Sequence, residues 1–251
     1  MSATAHLVEL FSAIQGEGPY VGERQIFVRL GGCDLRCRFC DSPHTWRPPT
    51  YARVEGTPGE RDFQQVPNPV TGAQILTWLQ QQFQGGRHQA ISITGGEPLL
   101  QADFLAAWLP VITARIPLPI YLETGGHRPQ ELAQVLPWVH IIAMDYKLPS
   151  VSGESHHQAH QAFLAQALAA GVEIFVKIIV DQHTDTAELA TALAMISALA
   201  PETLVILQPV TPRPASPAPT PAQVLGWQKL AHEYLPRVRV IPQTHPLLGQ
   251  L

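Results

Sequence analysis

A partial, open (β/α)6-type barrel is the fold class that the sequence predicts, and three observations predict it. Apolar runs rich in β-branched residues alternate with helical patterns along the chain. Several of these runs are continuously apolar, as in parallel strands that helices cover. The length, 251 residues, is close to the ~250 of a complete eight-fold barrel. Two long irregular segments use up part of that length, so a complete barrel does not fit. Residues 1–251 are therefore read as one domain carrying loop insertions at 47–70 and 209–222.

The elements follow in order. Strands are expected at 6–11 and 26–30. Residues 47–70 are polar and rich in proline and glycine, without periodicity, and read as a surface loop. The first helix, 72–83, places Ile75, Leu76, Leu79 and Phe83 on one face. Strands at 90–94, 120–124, 141–146, 174–180, 204–210 and 238–242 then alternate with helices. Those helices are expected at 101–114, 129–136, 156–170, 185–199 and 221–235. Asp185 with Glu188 has the spacing of a capping box, and Pro129 and Pro221 suit first turns. Gly171 suits a helix end. Residues 209–222 hold six prolines and read as a surface loop of polyproline character, with a lid or dimer contact as the functional alternative. About six βα units follow the first strand, and chemistry in such folds collects at the carboxyl ends of the strands. No internal repeat is present.

Composition narrows the function. Hydrophobic residues make up 45 % of the chain, enough for a sizeable core, and the net charge is -4 with a pI near 6.2. That balance disfavours direct binding to a nucleic-acid backbone. The start lacks a basic segment leading into a long apolar run, and no apolar stretch approaches the ~20 residues that cross a bilayer. A soluble, cytoplasmic protein is expected.

The three cysteines carry the sharpest signal. All lie within eight residues, Cys33-Asp-Leu-Arg-Cys37-Arg-Phe-Cys40, which is no disulfide framework. Clustered thiols in a cytosolic chain read as a metal or redox site, and soft thiolates suit iron–sulfur clusters and zinc. A structural zinc site wants four closed ligands. The chain has no fourth cysteine, although His44 offers a fourth donor, so a Cys3His zinc loop is the plain alternative. An iron–sulfur cube on three cysteines leaves one iron open, as a catalytic centre requires. Gly31 and Gly32 precede the first cysteine and allow a tight turn after a strand. Thr94-Gly95-Gly96-Glu97-Pro98 follows another strand and exposes backbone groups at its end.

CxxxCxxC followed by this glycine pair resembles the radical S-adenosylmethionine (SAM) superfamily. The resemblance implies a [4Fe–4S] cluster on Cys33, Cys37 and Cys40, with SAM chelating the open iron and cleaved by one electron to a 5′-deoxyadenosyl radical. It implies that Phe39 shields the cluster and that Gly96 and Glu97, in a GGE motif, serve SAM. Further residues narrow the resemblance. Phe11-Ser-Ala-Ile14-Gln15-Gly16-Glu17-Gly18, Phe27-Val-Arg29-Leu-Gly-Gly-Cys33 and Cys40-Asp41-Ser42 are similar to the 7-carboxy-7-deazaguanine synthase family. Leu122-Glu123-Thr124-Gly125-Gly126, Asp145-Tyr146-Lys147, Val176-Lys177-Ile178, Ile206-Leu207-Gln208-Pro209 and Ile241-Pro242-Gln243-Thr244-His245 continue it over most of the chain.

That resemblance implies a ring contraction of 6-carboxy-5,6,7,8-tetrahydropterin to 7-carboxy-7-deazaguanine with loss of ammonia, on the way to queuosine and related deazapurines. Arg29 then holds the substrate carboxylate, which suits a bidentate guanidinium. Ile14, Gln15, Gly16, Glu17, Thr94, Glu123, Gln208 and His245 contact the pterin. Thr124, Gly125, Asp145, Tyr146, Lys147 and Lys177 lie along SAM, although Asp145-Tyr146 replaces the family's usual Ser-Pro before the lysine. Mg2+ is implied on Ser42, where the family often has threonine; its hydroxyl is a hard oxygen ligand of the kind that ion prefers. A homodimer and a flavodoxin- or ferredoxin-type electron donor are implied by the family alone. A glycyl-radical activase would share the cysteines without reason for residues 14–18 or Arg29. A tRNA-acting enzyme is disfavoured by the acidity. His156, His157 and His160 read as a solvated helix face, since nothing near them in sequence supplies further ligands.

Overall fold

Residues 3–250 are described by the computed structural model, and strands and helices alternate along them. β1 (Thr4–Ala5), β2 (Leu7–Ile14) and β3 (Arg24–Leu30) open the chain. β4 (Tyr51–Glu55), β5 (Phe63–Pro67) and β6 (Val70–Thr71) precede α1 (Gly72–Gly85). Then come β7 (Ala90–Gly95), α2 (Ala102–Thr113), β8 (Ile120–Thr124), α3 (Pro129–Val135), β9 (Ile141–Tyr146) and α4 (Pro149–Ser152). The chain finishes with α5 (His157–Ala169), β10 (Glu173–Val180), α6 (Thr186–Leu199), β11 (Val205–Pro209), α7 (Pro221–Tyr234) and β12 (Val238–Val240).

Local chemistry accounts for the helix ends. Thr71 caps α1 in a full capping box with Gln74, and Thr220 does the same for α7 with Gln223. Asp185 accepts from the N–H groups of Ala187 and Glu188, but the expected box is half made: the Glu188 carboxylate accepts from Ser150 N–H instead. Gly171, with φ +69°, follows the end of α5. Ile75 and Leu79 of α1 are fully buried, contributing about 1.5–3 kcal/mol each, and Leu76 and Phe83 pack beside them half-buried.

The main sheet has ten strands in the order β12-β11-β10-β9-β8-β7-β3-β2-β4-β5. From β3 through β12 every pairing is parallel, and each new strand adds beside its predecessor. Right-handed crossovers in one direction place all the helices on one face. The other face is left to curve and cover itself. It does so as a partial barrel whose end strands β12 and β5 do not pair with each other. Ile91, Ile93, Leu122, Ile142, Met144, Val176 and Ile178 point outward into the helix-covered core. On the concave face Tyr121, Ala143, Phe175 and Ile206 form an apolar floor, sealed by Tyr20 from the turn after β2. Thr244 N–H donates to Gly16 C=O at 2.8 Å, so the terminal segment bridges the open side of the barrel.

One expectation fails here. Residues 47–70, read as a loop, contain the antiparallel pair β4–β5, which extends the sheet through a parallel pairing of β4 with β2. The alternation is present but only five residues long: Ala52 and Val54 are buried while Tyr51 and Arg53 face the other way. The flanking prolines and glycines masked it. Residues 209–222 do remain irregular up to α7, pinned by Ser216 Oγ donating to the buried Asp181 carboxylate at 2.7 Å. No helix among the described residues is long and apolar enough to cross a membrane.

Candidate active site

A cavity of about 760 Å³ opens above the apolar floor, at the carboxyl ends of the parallel strands. The cysteine loop forms one wall. It leaves β3 through Gly31 and Gly32, and its return is fixed by Gly32 N–H to Thr45 C=O at 2.8 Å and Cys33 N–H to Trp46 C=O at 3.3 Å. Arg36 closes the loop on itself by donating to the carbonyls of Cys33 and Leu35, with its guanidinium over Trp46. All three cysteines are free thiols lining the cavity. Burial pushes the Cys33 thiol up to about 11, with the nearby Glu97 and Asp34 carboxylates adding to the rise against a lowering Leu35 N–H. A bound metal reverses that and takes the thiolate. Among the described residues no three His, Cys, Asp or Glu side chains converge as ligands of one ion must. An iron–sulfur cube sets a different demand, since each cysteine takes a separate iron.

The glycine pair faces this loop. Gly95 holds φ +150°, and a Cβ on Gly96 would run into Gly32 C=O and the Cys33 Cβ. The strand end is therefore bare backbone held against the first cysteine, as a close-lying ligand needs. Glu97 does not point its carboxylate into free space. It accepts from Leu99 N–H, Thr124 Oγ1 and Gly125 N–H at 2.8–3.0 Å, tying the end of β7 to that of β8. His127 bridges onward to Asp34, inside the cysteine motif, at 3.0 Å, where Arg128 also pairs at 2.7 Å. Any effect of Glu97 on a cofactor thus runs through Gly96, Thr124 and Gly125.

The concave face above the floor is polar and closely wired. Glu123 accepts from Gln15 at 2.7 Å, Thr94 at 2.9 Å and Ser92 at 3.3 Å. Lys177 and Asp145 are register partners across β9 and β10 and pair at 3.0 Å. Lys177 also pairs with Glu17, and Lys147 with Asp145 at 2.8 Å. Burial would raise the Asp145 carboxyl, but Lys147 and Lys177 overcome it and hold it at about 2. For Glu17 burial is likewise outweighed by Lys177, and the carboxyl ends below its ordinary value. Gln243 spans Glu17 at 2.8 Å and Asp41 at 2.7 Å. Lys147 Nζ lies 5.1 Å from the centre of the Phe39 ring. Gln208 is buried with its Oε1 unpartnered, on the cavity wall. An orphaned acceptor of this kind calls for a donor from a ligand.

The cavity wall gathers Cys33, Cys37, Phe39, Cys40, Ser42, Ile14, Gln15, Gly16, Glu17, Arg29, Thr94, Gly96 and Glu97. It also gathers Glu123, Thr124, Gly125, Asp145, Lys147, Lys177, Gln208 and His245. Tyr146 is the exception. It follows Asp145 in an extended strand, so it points to the opposite face. There it lies in the outer core and bonds His157 Nδ1 at 2.6 Å. The reading of the three histidines is corrected too. His160 is fully buried, with Nδ1–H donating to Gly126 C=O at 2.9 Å and Nε2 accepting from Lys147 N–H at 3.1 Å. Its four-residue spacing from His156 hid this, because spacing alone does not say which face is covered. Glu9, Arg53, His127 and Gln243 also belong to the site's framework, and none carried a role on sequence grounds.

His160 makes a pH-dependent contribution. Burial lowers its pKa from 6.5 to about 3, so the folded state binds fewer protons there than the unfolded state. The stabilisation is full above pH 6.5 and is lost as pH falls toward 3. Between pH 7 and 5 the loss is about 2 kcal/mol from this group. Denaturant titration of apoprotein is expected to show that fall, and His160→Gln to flatten it; an unchanged slope in the variant would remove His160 from the account.

Comparison with known proteins now adds to the geometry. Residues 27–154 match the model of the radical SAM superfamily. A 7-carboxy-7-deazaguanine synthase of Geobacter sulfurreducens is 43 % identical, covering 98 % of both chains. The enzyme of that name from Archaeoglobus fulgidus is 29 % identical over 98 % of both chains. Among solved structures, QueE from Escherichia coli superposes with a TM-score of 0.61 at 20 % identity, covering 96 % of this chain and 94 % of its own. The protein anSMEcpe with bound AdoMet gives a TM-score of 0.56 at 11 % identity, over 88 % of this chain and 62 % of its own. These two structural likenesses speak for the fold. With the first relative matched end to end and the cysteine loop, the glycine pair and the polar strand ends on one cavity, the chain belongs to the radical SAM superfamily and, within it, to the 7-carboxy-7-deazaguanine synthases.

Proposed function

We propose that this radical SAM enzyme of deazapurine biosynthesis contracts the ring of 6-carboxy-5,6,7,8-tetrahydropterin, with loss of ammonia, to 7-carboxy-7-deazaguanine. The observation that carries the reading is one cavity joining the three cysteines at one wall to Arg29 at another. When bound, the [4Fe–4S] cluster and SAM supply one-electron chemistry: cleavage of the sulfonium and abstraction of hydrogen from C6 of the pterin.

The residues fit those groups. Cys33, Cys37 and Cys40 are the only cysteines and would hold the cluster from the cavity wall. Gly96, Thr124 and Gly125 present backbone and hydroxyl to SAM, held there by Glu97. Phe39 shields the cluster, and Lys147 over its ring, with Asp145 and Lys177, borders the SAM side. Glu17 and Glu123 accept hydrogen bonds from the aminopyrimidinone edge, and the free Oε1 of Gln208 accepts another. Ile14, Gln15, Gly16, Thr94 and His245 shape the pterin pocket. Arg29 takes the substrate carboxylate. The Ser42 hydroxyl would hold Mg2+, as a hard oxygen ligand; it makes no capping bond in the turn it precedes. The enzyme works as one domain, as a homodimer, and with a flavodoxin- or ferredoxin-type donor.

Arg29→Ala separates substrate binding from SAM cleavage. The variant is expected to form 5′-deoxyadenosine with dithionite at a near-normal rate while losing at least a hundredfold in deazaguanine product. That loss corresponds to about 3 kcal/mol, the worth of a charge-assisted bidentate contact. Equal loss of both products would take Arg29 out of the substrate role.

A further inference from the structure

Two guanidinium groups rather than one line the cavity beside Glu9, and the second comes from the hairpin β4–β5. Glu9 stands between them. In the sheet its register partner on β3 is Arg29, and its register partner on β4 is Arg53. The three residues therefore form one row across three neighbouring strands, on the face that lines the cavity. Each oxygen of Glu9 serves one arginine: Oε1 accepts from Arg29 Nε at 2.9 Å, and Oε2 from Arg53 Nη2 at 2.6 Å.

The row leaves charge and donors to spare. Two cations share one carboxylate whose side chain is only 5 % exposed. Each guanidinium spends one nitrogen on Glu9, and neither has another hydrogen-bond partner among the described residues. A cavity wall with a net positive charge and unused, planar N–H donors is complementary to a second carboxylate.

The arginines are also held in place. Arg29 lies over the Phe11 ring at 5.7 Å, and Arg53 over the Phe63 ring at 4.5 Å. The rings support one another: Phe11 stacks on Phe27 at 5.2 Å and meets Phe63 edge-on at 6.5 Å. Both forks are thus oriented before any ligand arrives, by an aromatic platform below and by Glu9 between them.

We propose that Arg53 is a second carboxylate-binding residue, which with Arg29 and Glu9 clamps the 6-carboxylate and makes the enzyme select the carboxylated pterin. In the filled clamp two carboxylates alternate with two guanidiniums, and the charge balances. This rests on the substrate reading given above. It gives the hairpin a part in recognition, since β4 carries Arg53 and β5 carries the Phe63 ring beneath it.

The test uses reconstituted holoenzyme with SAM, without reductant, in anaerobic equilibrium dialysis against two ligands: 6-carboxytetrahydropterin and tetrahydropterin lacking the carboxylate. Arg53→Gln is expected to weaken binding of the carboxylated ligand about tenfold, a figure held down by the partial exposure of Arg53. Binding of the ligand without the carboxylate is expected to stay within twofold. In turnover KM rises by a similar factor with kcat changed less, and Arg53→Lys recovers part of the loss. Unchanged binding of the carboxylated ligand in Arg53→Gln overturns the clamp. So does an equal loss for both ligands, which marks a structural role. Wild-type enzyme that fails to bind 6-carboxytetrahydropterin overturns the substrate reading, and the clamp with it.

Discussion

Lys177→Met is expected to destabilise the protein by about 3–5 kcal/mol. The reason is the company that Lys177 keeps. Its side chain is 5 % exposed and pairs with both Glu17 and Asp145. Methionine fills much the same space, so little packing is lost. What remains is two carboxylates facing each other on the cavity wall, with Lys147 left to answer Asp145 alone. Repulsion and lost solvation then raise both carboxyl pKa values, reversing the lowering seen with the lysine present. Urea unfolding of apoprotein at pH 7 gives the magnitude. A loss below 1 kcal/mol would mean that water enters the cavity freely and screens the pair. The same change is expected to weaken binding of both SAM and the pterin, because Glu17 and Asp145 line the cavity proposed to hold them.

Cys33→Ala is expected to abolish the enzyme while leaving the fold intact. Cys33 is only part-buried, and alanine keeps the backbone bonds to Trp46 and Arg36 that shape the loop. Two thiolates are too few to hold the cube. Reconstituted variant protein should lack the broad visible absorption of a [4Fe–4S] cluster and form no 5′-deoxyadenosine above background. Turnover within tenfold of wild type would contradict the assignment of the three cysteines.

How much of the fold and the site is legible in the sequence depends on how local each signal is. The cysteine spacing and the glycine pair are local patterns, and both are readable from the chain alone. The parallel strands are readable because their apolar runs are long and separated by helical patterns, three of them with side-chain caps. Strand parity decides the error at Tyr146. Asp145 and Lys147 face the cavity, so their neighbour between them cannot. The two-residue period of a strand implies this once 141–146 is read as one, but a motif read as a contiguous block overrides it. The hairpin fails for another reason. Ala52 and Val54 carry too short an alternation to stand out among prolines and glycines, and its pairing with β2 spans over forty residues of sequence. With β4 unseen, Arg53 has no place beside Glu9. Glu97 and His160 show a third limit. Their residue types fit ligand roles, yet Glu97 bonds Thr124 and Gly125 at the end of β8, and His160 bonds the backbone of Gly126 and Lys147 just beyond β8 and β9, groups that only the fold brings near.

The most direct test is an anaerobic incubation of reconstituted wild-type protein with SAM, dithionite, Mg2+ and 6-carboxytetrahydropterin, read by mass spectrometry. The account predicts 7-carboxy-7-deazaguanine together with 5′-deoxyadenosine. 5′-Deoxyadenosine without that product, from protein with an intact cluster, would contradict the ring contraction proposed for this cavity.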